Sequence, residues 1–216
     1  MLRVAFPANV GNGTFTCDTP FAPVERPTTG IEVPAQKWVD LSGASGGVAL
    51  FNDSKYGHRC DGHVLELTLL RASYDPDLYP DQGPHSIRYA LLPHAGDWRS
   101  AGIADAGVLF NSPLTALETP PHPGELPPVH GYIELGPDNL VLSGVKKPDD
   151  GQGLIVRFYE SRGKACRATV RLLRNVRGAQ KLNLLEDPLD GAAAAACEGN
   201  HVSVDIRPHE IVTLRV

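Results

Sequence analysis

The stretch Gly47-Val-Ala-Leu-Phe-Asn-Asp-Ser-Lys-Tyr-Gly57 sets a short apolar run directly against a packet of polar side chains. Val48 to Phe51 has the length and composition of a buried strand. Asn52, Asp53, Ser54 and Lys55 break it, and Tyr56-Gly57 closes the break. Asn, Asp, Ser and Gly are the residues that turns use, so an ordinary turn is one reading of this packet. The other is a binding rim, because a rigid strand presents the polar residues at its end to a cleft.

Outward from this stretch the chain reads as many short strands. Arg3 to Phe6 is a first strand, stopped by Pro7. Residues 8–29 are rich in Gly, Thr and Pro, with Asn12-Gly13 as a hairpin turn. Trp38 to Leu41 leads through the Gly43–Gly47 turn into the central strand. Val64 to Leu70 alternates, with Leu65, Leu67 and Leu69 on one face. Ser73 to Pro84 is a loop dense in Pro and Asp. Ser86 to Leu92 repeats the alternation through Ile87, Tyr89 and Leu91. Trp98 to Ala106 holds a short helical turn, and Val108 to Phe110 resumes a strand. Pro120, Pro121, Pro123, Pro127 and Pro128 cannot keep a sheet ladder, so a domain boundary falls there.

Beyond the boundary come Tyr132–Leu135, Leu140–Leu142, Leu154–Glu160, Arg167–Leu173, Val202–Ile206 and Glu210–Val216. Pro148-Asp149-Asp150-Gly151 marks a hairpin. In Arg167–Leu173 the apolar Ala168, Val170 and Leu172 alternate with Arg167, Thr169 and Arg171. The alanine run Ala192 to Ala196 reads as a surface turn or one frayed helical turn. The fold class expected is all-β: a larger antiparallel sandwich-like portion over residues 1–125, then a small sandwich over residues 126–216.

Composition narrows the function. A formal charge of −5 offers no basic field for nucleic acid or an anionic membrane. No apolar run reaches the length of a bilayer-spanning helix. Met1-Leu-Arg-Val-Ala-Phe-Pro7 is too short in its apolar part for a signal peptide, so the cytoplasm is the expected compartment. The four cysteines, Cys17, Cys60, Cys166 and Cys197, form no CxxC pair and are expected as free thiols.

The usual catalytic spacings are missing. Eight histidines occur without an HxH or HExxH pattern, and His58, Cys60 and His63 form only a loose loop triad; no metal site is expected. No GxSxG elbow is present. Gly43-Ala-Ser-Gly-Gly47 precedes a strand and so lacks the helix N-terminus that would hold a phosphate. Retaining glycoside hydrolysis would need two carboxyl groups about 5–5.5 Å apart, which sequence cannot place.

Several segments, in one order, resemble the C-terminal β portion of glycoside hydrolase family 38 α-mannosidases. Asn52-Asp53-Ser54-Lys55-Tyr56-Gly57 resembles the family's NDxKYG. Glu32-Val33-Pro34-Ala35-Gln36-Lys37-Trp38-Val39-Asp40-Leu41-Ser42 resembles xVPAxxWxDLS. Leu67-Thr68-Leu69-Leu70-Arg71 resembles LSLLR, and Asp81-Gln82-Gly83-Pro84-His85 resembles DxGxH. Tyr89-Ala90-Leu91-Leu92-Pro93-His94, Val156-Arg157-Phe158-Tyr159-Glu160 and the terminal Glu210–Leu214 follow in order.

The resemblance implies a retaining, zinc-dependent mannosidase whose zinc ligands and nucleophile lie N-terminal to this portion. It assigns no catalytic residue and no cofactor to this chain. It implies that Asn52, Asp53, Lys55 and Tyr56 form a wall of the sugar site, with Asp81, Gln82 and His85 as a second group. Tyr56 can stack on a pyranose or pack in the core. The partners implied are a mannose-containing carbohydrate and the family's catalytic and helical domains. The isolated chain is expected to self-associate through the face those domains would cover. Two alternatives stay open: a free-standing carbohydrate-binding sandwich, or a subunit that completes a separately encoded barrel.

Overall fold

The computed structural model describes residues 1–189, 191 and 195–216. The chain forms two compact units, Met1–Ala116 and Leu117–Val216. Both are antiparallel β-sandwiches, so the expected fold class holds.

The first unit contains β1 (Leu2–Pro7), β2 (Thr14–Cys17), β3 (Val24–Arg26), β4 (Thr29–Pro34), β5 (Trp38–Gly43), β6 (Gly46–Asn52), β7 (Gly57–Asp61), β8 (Val64–Leu70), β9 (Tyr89–His94) and α1 (Ile103–Asn111). One sheet has the order β1-β8-β7-β4, the other β3-β2-β5-β6-β9. Between them lies a core of Phe15, Val39, Leu41, Leu50, Cys60, Leu65 and Leu67. The five-stranded sheet also buries its other face, where Trp38, Ala49 and Phe51 pack with Trp98 and Ile103. This double burial explains the unbroken apolar run of the opening stretch. Leu50 faces the inter-sheet core while Ala49 and Phe51 face the helix side, so no position in the run is left for a polar residue. Helix and sheet approach closely at Gly107, where a Cβ would sit 2.5 Å from Trp38 Cδ1.

The second unit contains β10 (Ile133–Gly136), β11 (Leu140–Lys146), β12 (Ile155–Glu160), β13 (Cys166–Leu172), β14 (Gln180–Leu182), β15 (Ala196–Glu198), β16 (His201–Ile206) and β17 (Ile211–Arg215). Its sheets have the orders β10-β13-β16-β15 and β11-β12-β17-β14. Val156, Phe158, Val212 and Leu214 meet Ala168, Val170, Val202 and Val204 in the core. The β11–β12 hairpin turns through the Asp-Gly segment, as expected.

Four local expectations are corrected. Val108–Phe110 belongs to α1, because Ile103, Gly107 and Phe110 recur at helical spacing against Trp38 and Phe51. Asn12-Gly13 closes no hairpin: β1 and β2 lie in different sheets. Residues 8–29 hold two strands, and in β2 the residues Phe15 to Cys17 are buried. The strand after the long loop starts at Tyr89, and Tyr89 and Leu91 are on its exposed side. Of the alanine run, Ala192–Ala194 lies outside the described residues, and Ala196 opens β15.

One carboxylate organises an end of the second unit. Glu160 is fully buried and accepts hydrogen bonds from the backbone N–H groups of Arg162 (2.8 Å), Gly163 (2.7 Å), Lys164 (3.0 Å) and His209 (3.0 Å). Asn139 Nδ2 donates a fifth at 2.8 Å. Burial opposes its charge, but these donors outweigh burial and hold the carboxyl below its ordinary value. The stabilisation is therefore present above the ordinary glutamate pKa and is lost as pH falls through the depressed value. Glu160→Gln, which turns an amide against some of those donors, is expected to destabilise the second unit by about 3 kcal/mol. Amide exchange in β12, β13 and β16 would report the loss. Both tryptophans, Trp38 and Trp98, belong to the first unit, so their fluorescence melt should stay unchanged.

Candidate functional site

The polar packet after β6 is built around Asn52. This side chain does not project from the strand: it is 1% exposed and lies beneath the turn. Its Oδ1 accepts hydrogen bonds from the backbone N–H of Ser54 (3.2 Å) and Lys55 (2.7 Å). Its Nδ2 donates to the Gln36 carbonyl (2.8 Å) and meets His58 Nε2 at 3.2 Å. Asn52, expected to face sugar hydroxyls, here shapes the turn and spends its amide on partners within the chain. The partner His58, on β7, is fully buried, and burial pushes its pKa down to about 4. The ring is neutral near pH 7, which leaves Nε2 free to accept from the Asn52 amide.

Asp53 turns toward the helix. Its Oδ2 pairs with Arg88 Nε at 3.0 Å. Arg88 also donates to the Phe110 carbonyl at 2.9 Å and lies over the Phe110 ring, 4.7 Å from its centroid. Asn111 Nδ2 donates to the Asn52 carbonyl at 3.1 Å. The end of α1 is thus clipped to the turn from both sides.

Lys55 and Tyr56 point elsewhere, into an open cavity of about 470 Å³ on the outer side of β4, β7 and β8. Tyr56 is 60% exposed, so it has not taken the core fate open to a tyrosine. Gly57, Glu32, Thr68, Arg71 and Asp81 also line the cavity. Gly57 leaves the space its neighbours need: a Cβ there would come 2.7 Å from Glu32 Oε1 and 3.1 Å from Thr68 Cβ. Thr68 donates to Glu32 at 2.5 Å, and Arg3 pairs with Glu32 at 3.0 Å. The Thr68 hydroxyl first, aided by Arg3, holds the Glu32 carboxyl below its ordinary value.

Of the seven expected site residues, the structure brings Lys55, Tyr56 and Asp81 to one cavity. Asp81 Oδ2 accepts the Ala72 N–H at 2.9 Å, closing the base of the long loop. Gln82 and His85 are exposed on that loop, and His85 Nε2 bonds the Asp81 carbonyl at 2.8 Å. Glu32, Thr68 and Arg71 are lining residues that sequence reasoning passed over. Thr68 was visible as a polar position of an alternating strand, but its meeting with Glu32 depends on the order β8-β7-β4.

Among the described residues no group of three or more His, Cys, Asp or Glu side chains could hold a metal ion. His58 and Cys60 face inward from β7, and His63 is exposed. The four thiols are unpaired; Cys17 and Cys60 are buried and Cys197 is exposed. No helix among the described residues is long and apolar enough to cross a membrane.

Comparison with known proteins gives concordant matches. Residues 1–79 match the model of the glycosyl hydrolases family 38 C-terminal domain, and residues 139–214 that of the family 38 C-terminal beta sandwich domain. Alpha-mannosidase 2C1 of Homo sapiens is 34% identical over 225 residues, covering 99% of this chain and 21% of the relative. An alpha-mannosidase of Saccharomyces cerevisiae is 30% identical over 257 residues, covering 100% of this chain and 22% of the relative. The chain thus spans about a fifth of the length of these curated relatives. A solved family 38 protein from Enterococcus faecalis superposes with a TM-score of 0.80 at 23% identity, covering 99% of this chain and 26% of that one. At that identity the likeness shows the fold.

The geometry makes a pH-dependent expectation. Because the folded state disfavours a proton on His58, its contribution is intact above the ordinary histidine pKa of about 6.5 and declines as pH falls toward 4. Across that window the first unit should lose about 3 kcal/mol, read from tryptophan fluorescence in denaturant. Asn52→Ala should cost about 2 kcal/mol at neutral pH, and the more exposed pair broken by Asp53→Ala less than about 1 kcal/mol. Equal costs for the two variants would show that Asn52 does not hold the turn.

Proposed function

Since the chain belongs to glycosyl hydrolase family 38, of which it carries the C-terminal β portion, we propose that it forms a wall of a mannoside site in a hydrolase of terminal α-linked mannose. The observation that carries this reading is the open cavity beside Tyr56. It combines an exposed aromatic face with Lys55, Thr68 and Glu32, the mixture that stacks on and hydrogen-bonds a pyranose. Six of its seven lining residues named above, all but Asp81, lie within the family-matched residues 1–79. Lys55 and Tyr56 face the sugar and Asp81 bounds it from the loop, while Gln82 and His85 lie on the same loop outside the cavity lining. Asn52 and Asp53 position the wall: one shapes the turn, the other clips it to α1.

In this reading the retaining, zinc-dependent chemistry resides in the part of the family protein that this chain does not span. This chain contributes substrate position and a scaffold for the catalytic and helical domains. The unpaired thiols suit a reducing compartment, and we place the protein in the cytoplasm.

The test has two arms. The isolated chain should not hydrolyse an aryl α-mannoside, with or without added zinc. In a full-length enzyme carrying this segment, Lys55→Ala and Tyr56→Ala should each lower kcat/KM about fivefold to hundredfold without changing the melting temperature. Wild-type kcat/KM in both variants would sink the sugar-wall reading. Turnover by the purified chain, abolished by a substitution within it, would sink the scaffold reading.

The isolated chain should also self-associate. Tyr89, Leu91 and Leu92 on edge strand β9 are each more than a third exposed. An exposed apolar edge of this kind pairs readily with another copy. Light scattering at high micromolar concentration should report a species larger than 23.2 kDa; a strict monomer would count against the idea.

A further inference from the structure

The second unit has a cavity of its own, of about 640 Å³, at one end of its sandwich. Ile133 and Leu172, opposite each other on β10 and β13, line it from one sheet. Val145 of β11 and Leu154, next to β12, line it from the other. Residues 173–178, on the way from β13 in one sheet to β14 in the other, make its rim. Ile133, Leu154, Val176 and Val216 also pack against the sandwich core, so the cavity extends that core outward. Val145 and Leu173 remain exposed in it. A mostly apolar lining with a few polar groups, at a volume of about 300–1,000 Å³, is the usual form of a small-molecule site.

The charged groups of the lining are of one sign. Arg174 and Arg177 are among them, and no acidic side chain is. The second unit contains eight arginines. Arg157, Arg162, Arg167, Arg171, Arg207 and Arg215 each pair with a carboxylate. Arg174 and Arg177 are the two that make no ion pair or hydrogen bond among the described residues. Both are exposed. Arginines of this unit are otherwise neutralised within the chain, and the exception falls on both cations of one apolar cavity.

A guanidinium is weakly hydrated for a cation and presents a planar fork that fits a carboxylate. An apolar body attached to that carboxylate gains by leaving water for the lining. We propose that this cavity binds a carboxylate carrying a medium-sized apolar chain or ring. The body lies against Leu154, Leu172 and Val176, and the charge meets Arg174 and Arg177. A neutral apolar ligand would leave the arginines unused, and a small anion would leave the apolar lining unused. The site is independent of the mannoside reading, whose cavity belongs to the first unit.

The experiment uses the 216-residue chain and four probes kept below their aggregation concentrations: octanoate, 1-octanol, acetate and octylammonium. Binding is read from the amide chemical shifts of Val145, Leu154, Leu173 and Val176. At low salt octanoate should bind about tenfold more tightly than 1-octanol or acetate, and the advantage should shrink as salt is added. Octylammonium should bind more weakly than 1-octanol. Arg174→Ala combined with Arg177→Ala should bring octanoate down to the level of 1-octanol, with amide shifts away from the rim unchanged. Arg174→Lys combined with Arg177→Lys should restore part of the advantage.

Binding of 1-octanol as tight as that of octanoate would overturn the proposal, because the arginines would then add nothing. Acetate binding as tightly would overturn it from the other side. An octanoate advantage that survives the double alanine variant would put the anion elsewhere and overturn it too. So would no response of these amides to any probe.

Discussion

Burial of the five-stranded sheet on both faces is the constraint from which the first unit follows. With a sandwich core on one side and α1 with Trp98 on the other, polar side chains within the sheet must find partners inside the protein. Asp40, fully buried on β5, meets His94 Nε2 at 2.7 Å. Desolvation raises the Asp40 carboxyl pKa. Asn52 answers the same demand at the end of β6 by joining Gln36, His58 and the turn N–H groups. The turn is therefore rigid for a reason internal to the fold. That rigidity extends to the backbone that carries the neighbouring Lys55 and Tyr56.

The four-stranded sheet works under the opposite rule. Its inner face supplies Leu65, Leu67, Cys60 and Val33 to the core, while its outer face is charged. Arg3, Glu66, Thr68, Arg59 and Glu32 form a ladder of pairs across β1, β8, β7 and β4. Each exposed pair contributes little to stability. Their effect is geometric: they fix the directions of Glu32 and Thr68, and the space above Gly57 stays open.

The sequence displayed what depends on neighbours in the chain and concealed what depends on neighbours in space. The alternation of Leu65 and Leu67, and of Ala168 and Val170, was legible because one face of each strand is wet. The run Val48–Phe51 was legible as buried, though its two separate partners were not. Val108–Phe110 misled because three apolar residues in a row carry no period of their own; only Ile103 and Gly107, further back, reveal the helix. β2 and β3 were hidden because they pair with each other, and β2 with β5, across a turn-rich segment. At the site, Lys55 and Tyr56 were visible from their position beyond the strand. Asn52 looked the same in sequence, yet its amide turns inward because buried His58 and the Gln36 carbonyl need a donor. Glu32 and Arg71 come from distant stretches that only the sheet order brings together.

The placement of Asn52 separates two kinds of change. The residue that sets the turn is hidden, while Lys55 and Tyr56, three and four residues further on, carry none of that duty with their side chains. Replacing either exposed side chain alters what the cavity presents without disturbing the strand register behind it. Replacing the hidden amide does the reverse. The side chains that line the cavity can therefore vary by single substitutions, with the architecture held constant by the buried Asn52 amide.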